Sequence, residues 1–200
     1  STVHREFVKV QGGDTAVIIT RNDYMGGGKK LLADERTHIF KVENGHRIID
    51  VMIKFIAEHG DCVLGDKKDA GFSIRVATSM DVDSKKGGQL INSHGVTDKA
   101  AWGKRAPWVD YHGPVKGKTV GVAILNHPSS FRHPTPWHVR TYGLFTANPF
   151  GLRSLRQGDN GSFTLKKGKS ITLKHRVIFH KGNEKSAKIA DAYKAYASEK

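Results

Sequence analysis

The dipeptide Asn44-Gly45 lies between two long stretches that are rich in β-branched residues, and it constrains the fold more than any other feature. Asn-Gly readily adopts the positive φ angles of a two-residue hairpin turn, so it predicts a hairpin between residues 31–42 and 47–58. The second stretch, RIIDVMIKFIAE, is long enough for a helix. Its β-branched content and its position directly after the turn favour a strand instead.

Strands separated by turns continue through most of the chain. The further predicted strands are 4–10, 15–21, 72–82 and 119–126, with a glycine-rich loop at 22–30 and a second hairpin over 162–180 that turns at Lys167-Gly168. Only the end of the chain predicts a helix, near 184–198, because Asn183 can cap it and no Gly or Pro follows. This order predicts an all-β fold, an antiparallel β-sandwich in a single domain over 1–200 with one C-terminal helix.

The net charge of +14 raises the question of nucleic-acid binding. Residues 152–200 carry +8, from 12 Lys and Arg against 4 Asp and Glu, and the remaining +6 is spread over the preceding 151 residues. The sequence contains no basic helix interleaved with aromatic residues and no zinc-finger spacing. A solvated basic face is therefore expected, with no specific nucleic-acid partner, and anionic glycans are the alternative partner.

No apolar run approaches the roughly 18 residues that a membrane-spanning helix needs, so no membrane partner is predicted. Cys62 is the only cysteine, so no intrachain disulfide can form. The chain begins Ser-Thr-Val without an initiator Met, which indicates a processed form or a fragment. We expect a periplasmic or secreted location rather than a cytoplasmic one, and the oligomeric state stays open.

The segment from 126 to 151 holds three histidines, four prolines, two arginines and a tryptophan in 26 residues. Because a residue before proline is biased toward extended backbone, the X-Pro steps stiffen residues 127–136. We expect residues 137–145 to follow as one strand, whose alternation puts every second side chain on one face. The residues expected to line one concave surface are His133, His138, Arg140 and Tyr142, together with Arg75 and Asp66.

Histidines and arginines in this segment suggest different chemistry. The spacing of His127, His133 and His138 matches no strong zinc motif, so we predict no metal cofactor, and a metal held by these three stays the alternative. Arg140 suits a carboxylate or vicinal hydroxyls. Trp137 and Tyr142 offer flat faces for a sugar ring, although Trp137 can equally be part of the core.

Two further segments hold groups suited to acid/base chemistry. In LGDKKDAGFSIRV (64–76), Asp66 and Asp69 precede a strand that carries Arg75, and Asp66 with Arg75 is either a catalytic arrangement or a structural ion pair. In AWGKRAPWVDYHG (101–113), Asp110 lies two residues before His112, and a carboxylate near a histidine supplies groups for general acid and base chemistry.

Four motifs carry a resemblance to a known family. They are DERTHIF (34–40), GDKKDAGFSIRV (65–76), WGKRAPWVDYHG (102–113) and HPSSFRHPTPWHVRTYGLFTANPFG (127–151). In these the chain resembles the bacterial family of unknown function labelled methane oxygenase PmoA-like, over nearly its whole length. Members resemble the galactose-mutarotase-like β-supersandwich. They begin with a His-rich segment absent here, so the chain is either a single complete domain or the C-terminal part of a longer one.

The resemblance implies a carbohydrate-active protein that binds a sugar in a concave sheet and acts by general acid/base chemistry. In this interpretation His112 or His138 is the acid and Asp66 or Asp69 the base. The substrate-binding residues are Arg75, Arg140, Tyr142, Trp137 and His133. Two alternatives stay open: a non-catalytic glycan-binding module, and a metal-dependent oxidoreductase as the family label suggests.

Overall fold

The computed structural model describes residues 1–199. Within this range thirteen strands and one α-helix follow in chain order, besides two short 3-10 helices at Thr78–Met80 and Asp98–Ala101. They are β1 (Thr2–Gln11), β2 (Ala16–Gly26), β3 (Lys29–Glu43), β4 (His46–Ile56), β5 (Cys62–Leu64), β6 (Phe72–Arg75), β7 (Gln89–Asn92), β8 (Trp108–Val115), β9 (Lys118–Asn126), β10 (Trp137–Val139), β11 (Leu144–Ala147), β12 (Phe163–Leu165), β13 (Ser170–Lys181) and α1 (Ile189–Ala197).

The largest sheet has eight antiparallel strands in the order β1-β2-β3-β4-β13-β9-β8-β7. Asn44 and Gly45 have φ angles of 52° and 76° and connect β3 to β4, which confirms the predicted hairpin. Smaller sheets have the orders β10-β11-β6 and β12-β5. In the part of the chain that the structure describes, no helix is long and apolar enough to span a bilayer.

Alternation along β8 sends side chains to two different layers. Val109 and Tyr111 are buried in the core between the eight-stranded and the three-stranded sheets. Trp108, one residue out of phase, belongs to a second apolar cluster on the opposite face, where Ile189 and Tyr196 of α1 pack. The antiparallel all-β sandwich with one C-terminal helix is therefore confirmed, and the helix covers the outer face of the large sheet.

The boundaries of two predicted elements need correction. Strand β2 continues through the predicted loop as far as Gly26, so only Gly27 and Gly28, both at positive φ, form the turn. The helix begins at Ile189, because Lys188 has a φ of 54° and interrupts the helical backbone. Asn183 caps a separate turn before it, where its Oδ1 accepts a hydrogen bond from the Ser186 N–H at 3.0 Å.

Three predicted strand arrangements are also wrong. Residues 162–180 are not a hairpin, because β12 pairs with β5 while β13 enters the large sheet between β4 and β9. Residues 137–145 are not one strand: β10 and β11 form a tight hairpin in which the Arg140 N–H donates to the Leu144 carbonyl at 2.7 Å. The strand predicted over 72–82 ends at Arg75.

Candidate functional site

His138 and Asp69, two residues predicted as acid and base, lie beside each other. His138 is on β10, and the Trp102 indole N–H donates to its Nδ1 at 3.2 Å. Since an indole can only donate, the neutral imidazole carries its proton on Nε2. That nitrogen lies 3.7 Å from Oδ1 of Asp69, whose side chain is 71% exposed. The pair therefore presents a fixed N–H donor next to an accessible carboxylate.

The environment of His138 favours its neutral form. Burial lowers the pKa of His138, and the positive charge of Arg140 lowers it further, while Asp69 opposes the shift. A neutral imidazole with its proton on Nε2 can act as a hydrogen-bond donor or as a weak general acid toward a bound hydroxyl. Proton donation as a general acid uses the imidazolium form, which this shift disfavours, so the lowered pKa supports hydrogen-bond donation more than proton transfer.

A cavity of about 610 Å³ has Trp102, the hydrogen-bond partner of His138, in its wall, while His138 and Asp69 are not among its lining residues. Its charged lining residues are Asp83, Lys99, Arg140 and Arg156. Three cations against one carboxylate make the cavity positive. The Arg156 guanidinium also lies over the Trp102 ring, 5.9 Å from its centre.

Arg140 has an incompletely satisfied guanidinium. Its Nε is buried and has no hydrogen-bond partner among the described residues. A buried donor without a partner is costly, and an acceptor on a ligand in the cavity would satisfy it. Arg140 lies in the turn of a hairpin and not on the face of a strand, and its binding role stays a prediction.

The other predicted binding residues lie apart from this cavity. Tyr142 is at the tip of the β10–β11 hairpin, 43% exposed, and the Arg75 guanidinium lies over its ring at 4.9 Å. Trp137 is fully buried within the paired part of β10, and its indole N–H donates to the Ala106 carbonyl at 2.8 Å. The expectation of an accessible Trp137 face is therefore wrong in this structure, and its alternative as a core residue is confirmed.

Asp66 holds the loop over residues 153–161 in place through hydrogen bonds. Its carboxylate accepts hydrogen bonds from the backbone N–H groups of Arg153, Ser154 and Gly161 and from the Ser154 hydroxyl, at 2.6 to 3.1 Å. Burial alone would raise the pKa of Asp66, but these donors outweigh it and lower the pKa to about 2. Neither the ion pair with Arg75 nor a shared surface with His138 is formed, because these bonds tie Asp66 to residues 153–161.

The histidines of the loop make separate protein contacts. His127 Nδ1 lies 2.7 Å from the Ser129 hydroxyl and its Nε2 lies 3.0 Å from the Glu199 carbonyl, while His133 Nδ1 lies 2.9 Å from Asn126 Oδ1. These contacts agree with structural histidines that hydrogen-bond nearby polar groups. His127, His133 and His138 do not form a metal-sized group: within residues 1–199 only one set has all its ligand atoms within 4.8 Å.

That set consists of Asp110, His112 and Glu184, all buried. Asp110 Oδ1 lies 2.7 Å from His112 Nδ1, and Oδ2 lies 2.6 Å from His180 Nε2. Burial opposes charge on His112, but the hydrogen bond and charge of Asp110, with smaller contributions from Glu184 and Asp98, hold its pKa above the usual value. His112 is thus separated from the site of His138, on the helix-covered face of the large sheet.

Sequence reasoning missed Glu184 and His180 in this cluster, and Lys99 and Arg156 in the basic cavity. One signal was available for His180. Gly121 lies inside β9, and a glycine within a strand often marks a close approach. A Cβ at position 121 would lie 2.2 Å from the His180 ring, and the strand register aligns His112, Gly121 and His180 across three strands.

Comparison with known proteins leads to a family but not to an activity. No curated protein matches the chain. Among solved structures it is similar to the Slr1438 protein from Synechocystis sp. PCC 6803, at 8% identity and a TM-score of 0.39, over 88% of this chain and 66% of that one. The chain spans just under two thirds of that protein. The family model of DUF6807 matches residues 1–194, and the chain therefore belongs to this family of unknown function.

Proposed function

We propose that this protein binds a carbohydrate bearing a carboxylate or similar anionic group, in the cavity lined by Arg140, Arg156 and Lys99. The observation that carries the proposal is the buried Arg140 Nε without a partner, at the wall of a cavity of about 610 Å³. A guanidinium binds carboxylates through paired N–H groups, which makes a uronic acid a better match than a neutral sugar.

Carbohydrate is the proposed ligand class for two reasons. Trp102 lines the cavity and offers an aromatic ring next to polar groups, an arrangement suited to the apolar face of a sugar. The motif over 127–151 also resembles the methane oxygenase PmoA-like family, whose members resemble galactose-mutarotase-like proteins. This resemblance supports a sugar ligand and adds nothing on which sugar it is.

General acid/base chemistry on the bound sugar is the proposed activity of His138 and Asp69. The Nε2–H of His138 can donate to a sugar oxygen, and the exposed carboxylate of Asp69 can accept a hydroxyl proton. The separation of 3.7 Å is longer than a hydrogen bond, so both groups keep hydrogen-bonding capacity for a ligand oxygen.

Calorimetry with four sugars tests the binding proposal. We expect D-glucuronate and D-galacturonate to bind about tenfold or more tightly than D-glucose and D-galactose, because only the acids pair with Arg140. Arg140→Ala should remove this preference with a nearly unchanged melting temperature. Arg21→Ala, which removes the same charge from an exposed position on β2, is the control and should bind normally.

Two results would contradict this proposal. One is equal affinity for acidic and neutral sugars; the other is a large loss of stability in Arg140→Ala without a change in binding. Anomer exchange followed by nuclear magnetic resonance then tests the acid/base role. If His138→Gln still binds the uronate and the wild type shows no exchange above background, the protein is a binding module and not an enzyme.

A further inference from the structure

Glu184 has a nearly buried carboxylate that accepts no hydrogen bond from the residues that the structure describes. Its side chain is 9% exposed, and it pairs with His112 Nδ1 at 3.7 Å when that histidine is protonated. Holding a carboxylate largely away from water without a hydrogen bond is costly. A bound cation would remove this cost, and Asp110 adds a second carboxylate to the same point.

The spacing of the three side chains fits a coordination polyhedron. Metal bonds to nitrogen and carboxylate oxygen of about 2.0–2.2 Å place neighbouring ligand atoms about 3.0–3.4 Å apart at octahedral or tetrahedral angles. The observed separations from His112 Nδ1 are 2.7 Å to Asp110 and 3.7 Å to Glu184. Small side-chain rotations therefore bring all three to a common centre.

The strands hold this group rigidly. Asp110 and His112 are two residues apart on β8, so they share a face, and the second carboxylate oxygen of Asp110 is fixed by His180 at 2.6 Å. A hydrogen bond from outside the ligand set to a ligating carboxylate is a common feature of metal sites. Gly121 makes the room for it, since any side chain there would collide with His180.

A cavity of about 380 Å³ reaches one member of this group, Glu184. Its polar lining also includes Asn92 and Ser93, and Lys185 and Lys188 lie in the same wall. Asn92 is 1% exposed, and in the described part of the chain its Nδ2 and the Ser93 hydroxyl are buried without partners. Unsatisfied polar groups in the wall suit an oxygen-containing ligand that reaches the metal.

We propose that Asp110, His112 and Glu184 bind a divalent transition-metal ion, with the cavity beside Glu184 giving access to its open coordination position. Three protein ligands with an open position are typical of metal centres that bind substrate or activate water. One imidazole with two carboxylates favours zinc or manganese over calcium and magnesium, which take oxygen ligands. Binding releases the proton that Asp110 and His112 share.

The test uses tag-free protein stripped with a chelator and reloaded with Zn²⁺. Elemental analysis should give one Zn²⁺ per chain, and Co²⁺ in its place should give visible absorption from ligand-field transitions. Glu184→Gln keeps the side-chain shape and should weaken Zn²⁺ binding at least about tenfold. Asp191→Asn removes a carboxylate that lines the same cavity but is 69% exposed, and it should change the affinity less than about twofold.

Melting temperatures separate loss of the site from loss of the fold. Zn²⁺ should raise the melting temperature of the wild type and of Asp191→Asn, but not that of Glu184→Gln. Metal-free Glu184→Gln should melt close to the metal-free wild type, because the amide keeps the shape of the side chain and the pairing of Asp110 with His112 is unchanged. Zn²⁺ binding weaker than about 100 μM in the wild type, or equal binding by Glu184→Gln, overturns the proposal.

Discussion

The loop at 127–136 and the group of Asp110, His112 and Glu184 are both rich in polar side chains, but they differ in how those side chains are satisfied. In the loop, His127 and His133 each contact protein polar groups through both ring nitrogens. In the other group the Glu184 carboxylate accepts no hydrogen bond within residues 1–199 and has only the His112 ring nitrogen 3.7 Å away. The many polar residues of the loop therefore hold the loop in place through hydrogen bonds. Polar groups that lack hydrogen-bond partners occur instead where segments distant in sequence pack together.

The two regions also shift histidine pKa values in opposite directions. Burial lowers the pKa of His127 and of His133, with smaller effects from neighbouring positive groups. The pKa of His112 is raised, because the Asp110 hydrogen bond and nearby carboxylates outweigh its burial. The loop thus favours neutral imidazoles at His127 and His133. The buried group favours positive charge, either as a proton between Asp110 and His112 or as a bound cation.

The largest expected effect tests whether the segment after the loop is structural. Trp137→Ala should lower the free energy of unfolding by about 3–5 kcal/mol, because it empties a fully buried site and leaves the Ala106 carbonyl without its donor. Urea denaturation measures this. Tyr142→Ala, in the same hairpin but 43% exposed, is the control and should cost less than about 1 kcal/mol. Equal losses in both variants would contradict the burial difference.

A smaller effect separates the two aspartates that the sequence could not distinguish. Asp66→Ala removes the acceptor for four donors and should lower the free energy of unfolding by about 2–3 kcal/mol. Asp69→Ala, whose side chain is 71% exposed, should change it by less than about 0.5 kcal/mol. If Asp66→Ala instead keeps its stability and loses the acid/base activity, Asp66 belongs to the catalytic site.

The smallest effect is a pH dependence of opposite sign for two histidines, measured on metal-free protein. Because the pKa of His138 is lowered, its stabilising contribution is complete above the unfolded value near 6.5 and is lost as the pH falls. Because that of His112 is raised, its contribution is complete below 6.5 and is lost as the pH rises. His138→Asn and His112→Asn should remove slopes of at most about 1.4 kcal/mol per pH unit. Slopes of the same sign would contradict this.

Local signals in the sequence predicted the elements that local interactions determine. The Asn44-Gly45 turn and the strand character of β4 depend on φ preferences and on branching within a few residues, and both are confirmed. The hairpin within 137–145 had a signal as well, in Gly143, whose φ of 94° allows the tight return of the chain. The alternation of side chains over 137–145 predicts one strand, and the glycine overrides it.

The candidate sites were predictable only in part. His138 and Asp69 were both named, but their partner Trp102 and the cations around Arg140 come from segments with no shared pattern. Glu184 was placed on the first turn of a helix, where a carboxylate usually faces water. Its burial against β8 follows from the packing of the C-terminal segment on the sheet, which no residue near it in sequence specifies.

The position of β13 has a consequence for how the chain acquires its structure. This strand lies between β4 and β9, where Arg176 pairs with Asp50 on one side and Leu125 on the other. The two halves of the eight-stranded sheet therefore share no ladder until residues 170–181 have left the ribosome. Strand pairing between segments this distant in sequence forms slowly. Until it forms, the edges of β4 and β9 stay unpaired and are open to self-association or to binding by a chaperone.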